Sequence, residues 1–165
     1  MLKNISNLGD AALYCDFGIE VNKKINSEVI KYFKAIKESN IEGINNLTPS
    51  YNKLIISYDL RLTNFKEIKN KIEILNINET KKINSKKLEV PVCCDPAFSL
   101  DIERLEKKMN LNRDKILENF FNKEYFCYMT GFIAGMPFLG DLNENIRCDR
   151  LETPRSVSYT HLTLP

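Results

Sequence analysis

Residues 53–76 read KLIISYDLRLTNFKEIKNKIEILN, and the period of their apolar side chains changes midway. From Lys53 to Tyr58 the alternation is two, with Leu54, Ile56 and Tyr58 on one face, the mark of a half-buried strand. From Phe65 the spacing becomes three and four, through Ile68, Ile72 and Leu75, the mark of one helical face. Asn64, followed three residues later by Glu67, approximates a capping box and sets the helix start.

The flanking sequence extends this pattern. Residues 11–17, ALYCDFG, alternate as a strand, with Leu13, Cys15 and Phe17 on one face. Residues 27–38 read as a helix carrying Val29, Phe33 and Ile36, with Asn26 or Ser27 as its N-cap. Residues 43–48 are a weaker strand before Pro49. Leu88, Val90 and Val92 alternate as a last strand, which Pro91 confines to a sheet edge or a strand end. The order is β-α-β-β-α-β over residues 1–90, the split βαβ or ferredoxin-like pattern. Two helices are expected to cover one face of a four-stranded antiparallel sheet.

A second part begins at Cys94-Asp95-Pro96, a turn signal. A helix follows with Ile102, Leu105 and Met109, and Ser99 as its cap. Asn112 caps another with Ile116, Leu117 and Phe120. Residues 125–130, YFCYMT, read as a strand buried on both faces. It runs into a loop with Gly131, Gly135, Pro137 and Gly140.

Composition bounds the function. The 165 residues carry 24 basic and 22 acidic side chains, net +2, which argues against a dedicated nucleic-acid binder. No apolar run approaches the ~18 residues of a membrane span. The start, Met1 to Ser6, lacks a signal-peptide core, so a cytoplasmic location is expected. Lys, Asn and Ile fill 55 positions, so a single Lys is weak evidence for a site. The run from Lys81-Lys82 to Lys86-Lys87 is expected to be a solvated loop. The five cysteines, Cys15, Cys93, Cys94, Cys127 and Cys148, form no C-x-x-C pair, and reduced, mostly buried thiols are expected. The single His161 lies four residues from the end, which argues against a His-dependent triad or a His-rich metal site.

The glycine loop fits neither a Walker A loop nor G-x-G-x-x-G. It is either a tight structural turn or a place where a ligand or second backbone approaches closely. Phe132, Phe138 and Leu139 are expected to pack on the core, on a partner, or around a small ligand. Asp141 and Glu144 follow it and either face a site or lie in solvent. Arg147, Arg150 and Arg155 could clamp a carboxylate or phosphate, against the ordinary reading of scattered surface ion pairs.

Several segments together resemble the family of the B-type subunit of ATP-dependent 5-oxoprolinase, also called KipI-like or allophanate hydrolase subunit 1. Gly9-Asp10-Ala11-Ala12-Leu13 is similar to its opening G-D-x-A-L. Gly43-Ile44, Pro49-Ser50-Tyr51, Leu54 and Tyr58-Asp59 resemble its G-I…P-x-Y…L…Y-D segment. Val90-Pro91-Val92-Cys93-Cys94-Asp95 resembles V-P-V-x-Y-D, with Cys94 in the place of Tyr. Tyr125 to Gly140 resembles Y-x-V-x-x-x-G-F-x-x-G-x-P-Y/F-L-G, and Leu151 to Arg155 resembles the end of R-L-x-T-P-R. The likeness covers residues 8–155. Phe120 stands where the family usually has His, so no general base is assigned.

The resemblance implies an α+β protein: a ferredoxin-like domain over 1–90, then the incomplete start of a cyclophilin-like β-barrel over 91–155. Beyond Arg155 the family continues with V-P-x-G-S-V, whereas this chain reads SVSYTHLTLP, so 156–165 is expected to be a non-native tail. It implies a role with A- and C-type 5-oxoprolinase subunits in cleaving 5-oxoproline to glutamate, with ATP consumed by the complex and no metal site in this chain. Gly131, Phe132, Gly135, Pro137, Phe138, Leu139, Gly140, Pro154 and Arg155 match the family motifs and are the expected substrate- or partner-binding residues. The same motifs also serve a KipI-type inhibitor of a sporulation histidine kinase, or a component of allophanate metabolism.

Overall fold

The computed structural model describes residues 2–77 and 85–153. Its elements are β1 (Asn4–Asn7), β2 (Ala12–Asp16), α1 (Lys23–Ser39), β3 (Ile44–Pro49), β4 (Lys53–Tyr58), α2 (Phe65–Glu73), α3 (Ile102–Met109), α4 (Arg113–Phe121), β5 (Phe126–Thr130) and β6 (Pro137–Gly140). It is a mixed α/β chain with antiparallel sheets. Two compact units form: one takes residues up to Val90 together with Tyr125–Asp141, the other Pro91–Glu124 and the stretch from Leu142 onward. The hairpin 125–141 thus groups with residues 1–90, whereas the sequence reading places it with 91–155.

The first unit is built on a sheet of order β1-β2-β4-β3. Register places Leu13 opposite Ile56 and Cys15 opposite Leu54, so the apolar faces of β2 and β4 coincide. These side chains join Phe17, Val29, Ile36, Ile68 and Ile72 in one core. α1 starts earlier than its apolar spacing shows: Asn22 is the N-cap, its side chain accepting from the Ile25 N–H at 2.9 Å. α2 is capped as expected, Asn64 Oδ1 accepting from the Glu67 N–H at 3.1 Å. The Glu67 carboxylate does not reach back to the cap. It accepts from the Thr63 hydroxyl at 3.1 Å.

The order of elements corrects one expectation. Leu88, Val90 and Val92 form no strand, and residues 85–95 carry no regular structure. These three side chains are exposed. The outer flank of β2 is already filled by β1, with Ile5 opposite Cys15, and Pro91 has no N–H to give a ladder. The described order is therefore ββαββα rather than βαββαβ.

Charged groups fix the loops of this unit. Asp16 accepts from the Gly18 N–H at 2.7 Å and from Lys53, contacts that hold its carboxyl below the usual range, the Lys53 bond contributing most. Asn52 donates to the carbonyls of Gly18 and Glu20 at 2.9 and 3.1 Å, which fixes the entry to α1. The Arg61 guanidinium beside Asp59 holds that carboxyl at about 2.

In the second unit, Asn112 caps α4 as expected, accepting from the Lys115 N–H at 2.9 Å. Ser99 does not cap α3. Asp101 is the N-cap residue, its side chain making no capping hydrogen bond, and the Ser99 hydroxyl donates to the carbonyls of Cys94 and Asp95. Among the described residues of this unit, Ile116 and Ile146 are its buried apolar side chains.

The cysteine expectation also needs correction. Cys15 is buried, but Cys93 and Cys127 are exposed and Cys94 and Cys148 half-buried. Burial pushes the Cys15 thiol up to about 12, so it carries almost no thiolate near neutral pH. Alkylation of the native protein at pH 8, read by peptide mass spectrometry, is expected to label Cys93 and Cys127 first and Cys15 only after denaturation. Equal early labelling of Cys15 would contradict this core.

Candidate functional site

The motif residues come together on one hairpin. β5 and β6 pair with Phe126 opposite Gly140, Cys127 opposite Leu139, and Met129 opposite Phe138. The register shifts between Cys127 and Met129, which leaves Tyr128 as a bulge. The connection closes through Gly131 N–H to Met136 C=O at 3.1 Å and Met136 N–H to Ile133 C=O at 3.2 Å. It needs two left-handed residues, Phe132 (φ 68°) and Gly135 (φ 78°). Glycine adopts this conformation freely. Phenylalanine does not, and the strain is about 1–3 kcal/mol.

Gly140 is required for a different reason. A Cβ there would stand 2.4 Å from Cε2 of Tyr128 and 2.8 Å from Cδ2. The ring of Tyr128 lies where that side chain would be.

The hairpin is seated on the rest of the first unit through Tyr128, which is 4% exposed. Its ring meets Tyr51 (centroids 5.9 Å) and Phe126 (4.8 Å), and Phe138 meets Tyr51 edge-on at 6.2 Å. The Tyr128 hydroxyl donates to Asp141 Oδ1 at 3.1 Å, and Lys23 Nζ lies 3.6 Å from Asp141 Oδ2. Burial raises the Tyr128 phenol above its ordinary value, and the Asp141 carboxylate adds to the effect. Lys23 also lies over the Phe126 ring at 5.6 Å. The Ser50 hydroxyl contacts Met129 Sδ at 3.3 Å. The buried Asn26 amide donates to the Tyr128 carbonyl at 3.0 Å.

The expected residues from Gly131 to Gly140 each have a place. Gly131 and Gly135 shape the connection, Gly140 accommodates a ring, and Phe138 is half-buried against Tyr51. Phe132 and Leu139 stand 78% and 53% exposed, and Pro137 is exposed with them. The hairpin strand is therefore not buried on both faces. Only the Tyr128 side is covered, because one face meets the rest of the unit and Cys127 points to solvent. Arg147 and Arg150 are exposed, and Glu144 faces Arg147 at 3.9 Å. Pro154 and Arg155 lie outside the described residues, as do Lys81 and Lys82, while Lys86 and Lys87 are exposed. Sequence reasoning missed Lys23, Tyr51 and Tyr128, and read Asn26 as a cap.

The chemistry on offer is limited and specific. Residues 125–140 carry no charged side chain in a chain that is 28% charged, so what the hairpin presents is shape and apolar surface. Asp141 and Lys23 bring charge to its base. Among the described residues no group of three or more His, Cys, Asp and Glu could hold a metal. No described helix is long and apolar enough to cross a membrane. Two open hollows, of about 420 and 300 Å³, are lined by Asn110–Asn112 with α4 residues and by α1 with β3 residues. Neither includes a hairpin residue.

The chain as a whole is similar to known proteins. The family described as carboxyltransferase domain, subdomain C and D, matches residues 3–160. A 5-oxoprolinase B subunit from Bacillus subtilis is 30% identical over 163 residues, covering 92% of this chain and 68% of that protein. A 5-oxoprolinase B subunit from Haemophilus influenzae is 34% identical over 70 residues, 42% of this chain and 33% of its own length. The crystal structure of TTHA0988 in space group P212121 superposes with a TM-score of 0.75 at 22% identity, over 87% of this chain and 28% of that one, a likeness of fold.

Proposed function

This chain belongs to the carboxyltransferase-domain family of subdomains C and D, and on that premise we propose that it acts as the B-type subunit of an ATP-dependent 5-oxoprolinase. The observation that carries the reading is the 30% identity to a B-type 5-oxoprolinase chain across 92% of this one. In this reading the complex, with A- and C-type subunits, adds water across the lactam C–N bond of 5-oxoproline to give L-glutamate. A five-membered lactam is a stable amide; ATP phosphorylates its carbonyl oxygen and leaves as ADP, one water opens the C–N bond, and a second releases inorganic phosphate. This chain contributes a surface. The stiff connection through Gly131 and Gly135 presents Phe132, Pro137 and Leu139 to the substrate or to another chain of the complex, and Arg155 would hold an anion.

The test is reconstitution. Co-expressed with A- and C-type subunits, the chain is expected to support ADP release that depends on 5-oxoproline and on all three subunits. An assembled complex that releases no ADP above its level without 5-oxoproline would overturn the reading. So would failure of the three chains to assemble.

A further inference from the structure

We infer that Asn26 is the positioning residue of the glycine hairpin, acting through the Tyr128 carbonyl. Asn26 is 2% exposed and lies inside α1. Its Nδ2 stands 3.2 Å from the Ser50 carbonyl, 3.0 Å from the Tyr51 carbonyl and 3.0 Å from the Tyr128 carbonyl. One amide nitrogen with two hydrogens thus serves three acceptors on the β3–β4 turn and on β5. The third lies 102 residues away in sequence. In the hairpin register no residue stands opposite Tyr128, because the pairing shifts around it. Its carbonyl is satisfied by Asn26 instead, as a buried carbonyl requires.

Local preference opposes asparagine here. It is a poor residue inside a helix, where its side chain competes for backbone bonds. A residue that breaks a local rule in a buried position marks a requirement set elsewhere. The requirement is a short side chain with two N–H bonds on one atom. Aspartate offers only acceptors, serine one donor on a shorter arm, and glutamine is one methylene too long. Two further polar ties of the hairpin, Ser50 to Met129 and Lys23 to Asp141, are weaker in kind, a contact to sulfur and a half-exposed ion pair at 3.6 Å.

The consequence for catalysis rests on the function proposed above, since it assumes that Phe132, Pro137 and Leu139 meet substrate or partner. The experiment therefore has two arms. In the first, hydrogen exchange is followed in the full chain for wild type, Asn26→Asp and the milder Asn26→Ser. Amides of Met129–Gly140 are expected to exchange at least tenfold faster in the variants, with those of β2 and β4 unchanged. Unchanged hairpin exchange would overturn the inference. Equal acceleration of hairpin and sheet in both variants would also overturn it, because Asn26 would then be a general core residue. In the second arm, Asn26→Ser in the reconstituted complex is expected to lower kcat/KM for 5-oxoproline about a hundredfold, the scale of a misplaced contact surface. Full activity with a loosened hairpin would overturn the positioning role. An inactive wild-type complex would defeat the proposed function alone, and the exchange result would still decide the role of Asn26.

Discussion

Replacing Ile56 with alanine is expected to cost the first unit about 2–5 kcal/mol. Ile56 is fully buried, and its strand is one of the two central strands of the sheet, with Leu13 opposite on β2 and Leu47 opposite on β3. Helices cover that face, so the vacated volume has little means to collapse. Domain stability is about 5–15 kcal/mol in total, and a loss of this size would unfold a large share of molecules at about 40 °C. Urea unfolding followed by far-UV circular dichroism is expected to show a midpoint lowered by at least about 0.7 M, given slopes of about 1–3 kcal/mol/M. A change under about 1 kcal/mol would mean that the centre of the core lies elsewhere.

Gly140→Ala tests the seat of the hairpin in the same terms. The new methyl would meet the Tyr128 ring at 2.4 Å, far inside van der Waals contact. The ring cannot simply swing away, since Asp141 holds its hydroxyl and Tyr51 and Phe126 flank it. Overpacking of this kind costs about 1–3 kcal/mol. In the reconstituted enzyme it should also depress 5-oxoproline turnover. Because the clash involves one ring, the penalty is expected to shrink in a Tyr128→Val background, a coupling that a double-mutant cycle reads directly. Equal penalties in both backgrounds would show that the ring is not what Gly140 accommodates.

Periodicity carried much of this fold. β2, β4, α2 and α4 lie where the apolar spacing places them, and Asn64 and Asn112 cap as their positions suggest. Two short segments exchange roles relative to that reading. Asn4-Ile5-Ser6-Asn7 has one apolar side chain and still forms a strand, because Ile5 pairs against Cys15 in the core. Leu88-Glu89-Val90 alternates well and forms none. Strand formation depends on an available neighbour, which a local pattern does not record. The hairpin motif was legible through the family resemblance. Its seat was not, since Lys23, Asn26 and Tyr51 lie in ordinary local contexts and meet Tyr128 or its neighbours only after folding. Asn26 itself read as a candidate cap at the helix start, because the apolar spacing begins only after it.

The first unit is discontinuous along the chain, with 34 residues, 91–124, separating its two parts. During synthesis the sheet and both its helices therefore leave the ribosome before the segment that covers Tyr51. From residue 90 to residue 141, at about 5–20 residues per second, the interval is about 3–10 s. Throughout that time the Asn26 amide has only its turn carbonyls, and the Tyr51 ring faces water. The nascent chain thus carries an unfinished apolar surface of defined position, where a ribosome-associated chaperone can act until residue 141 emerges.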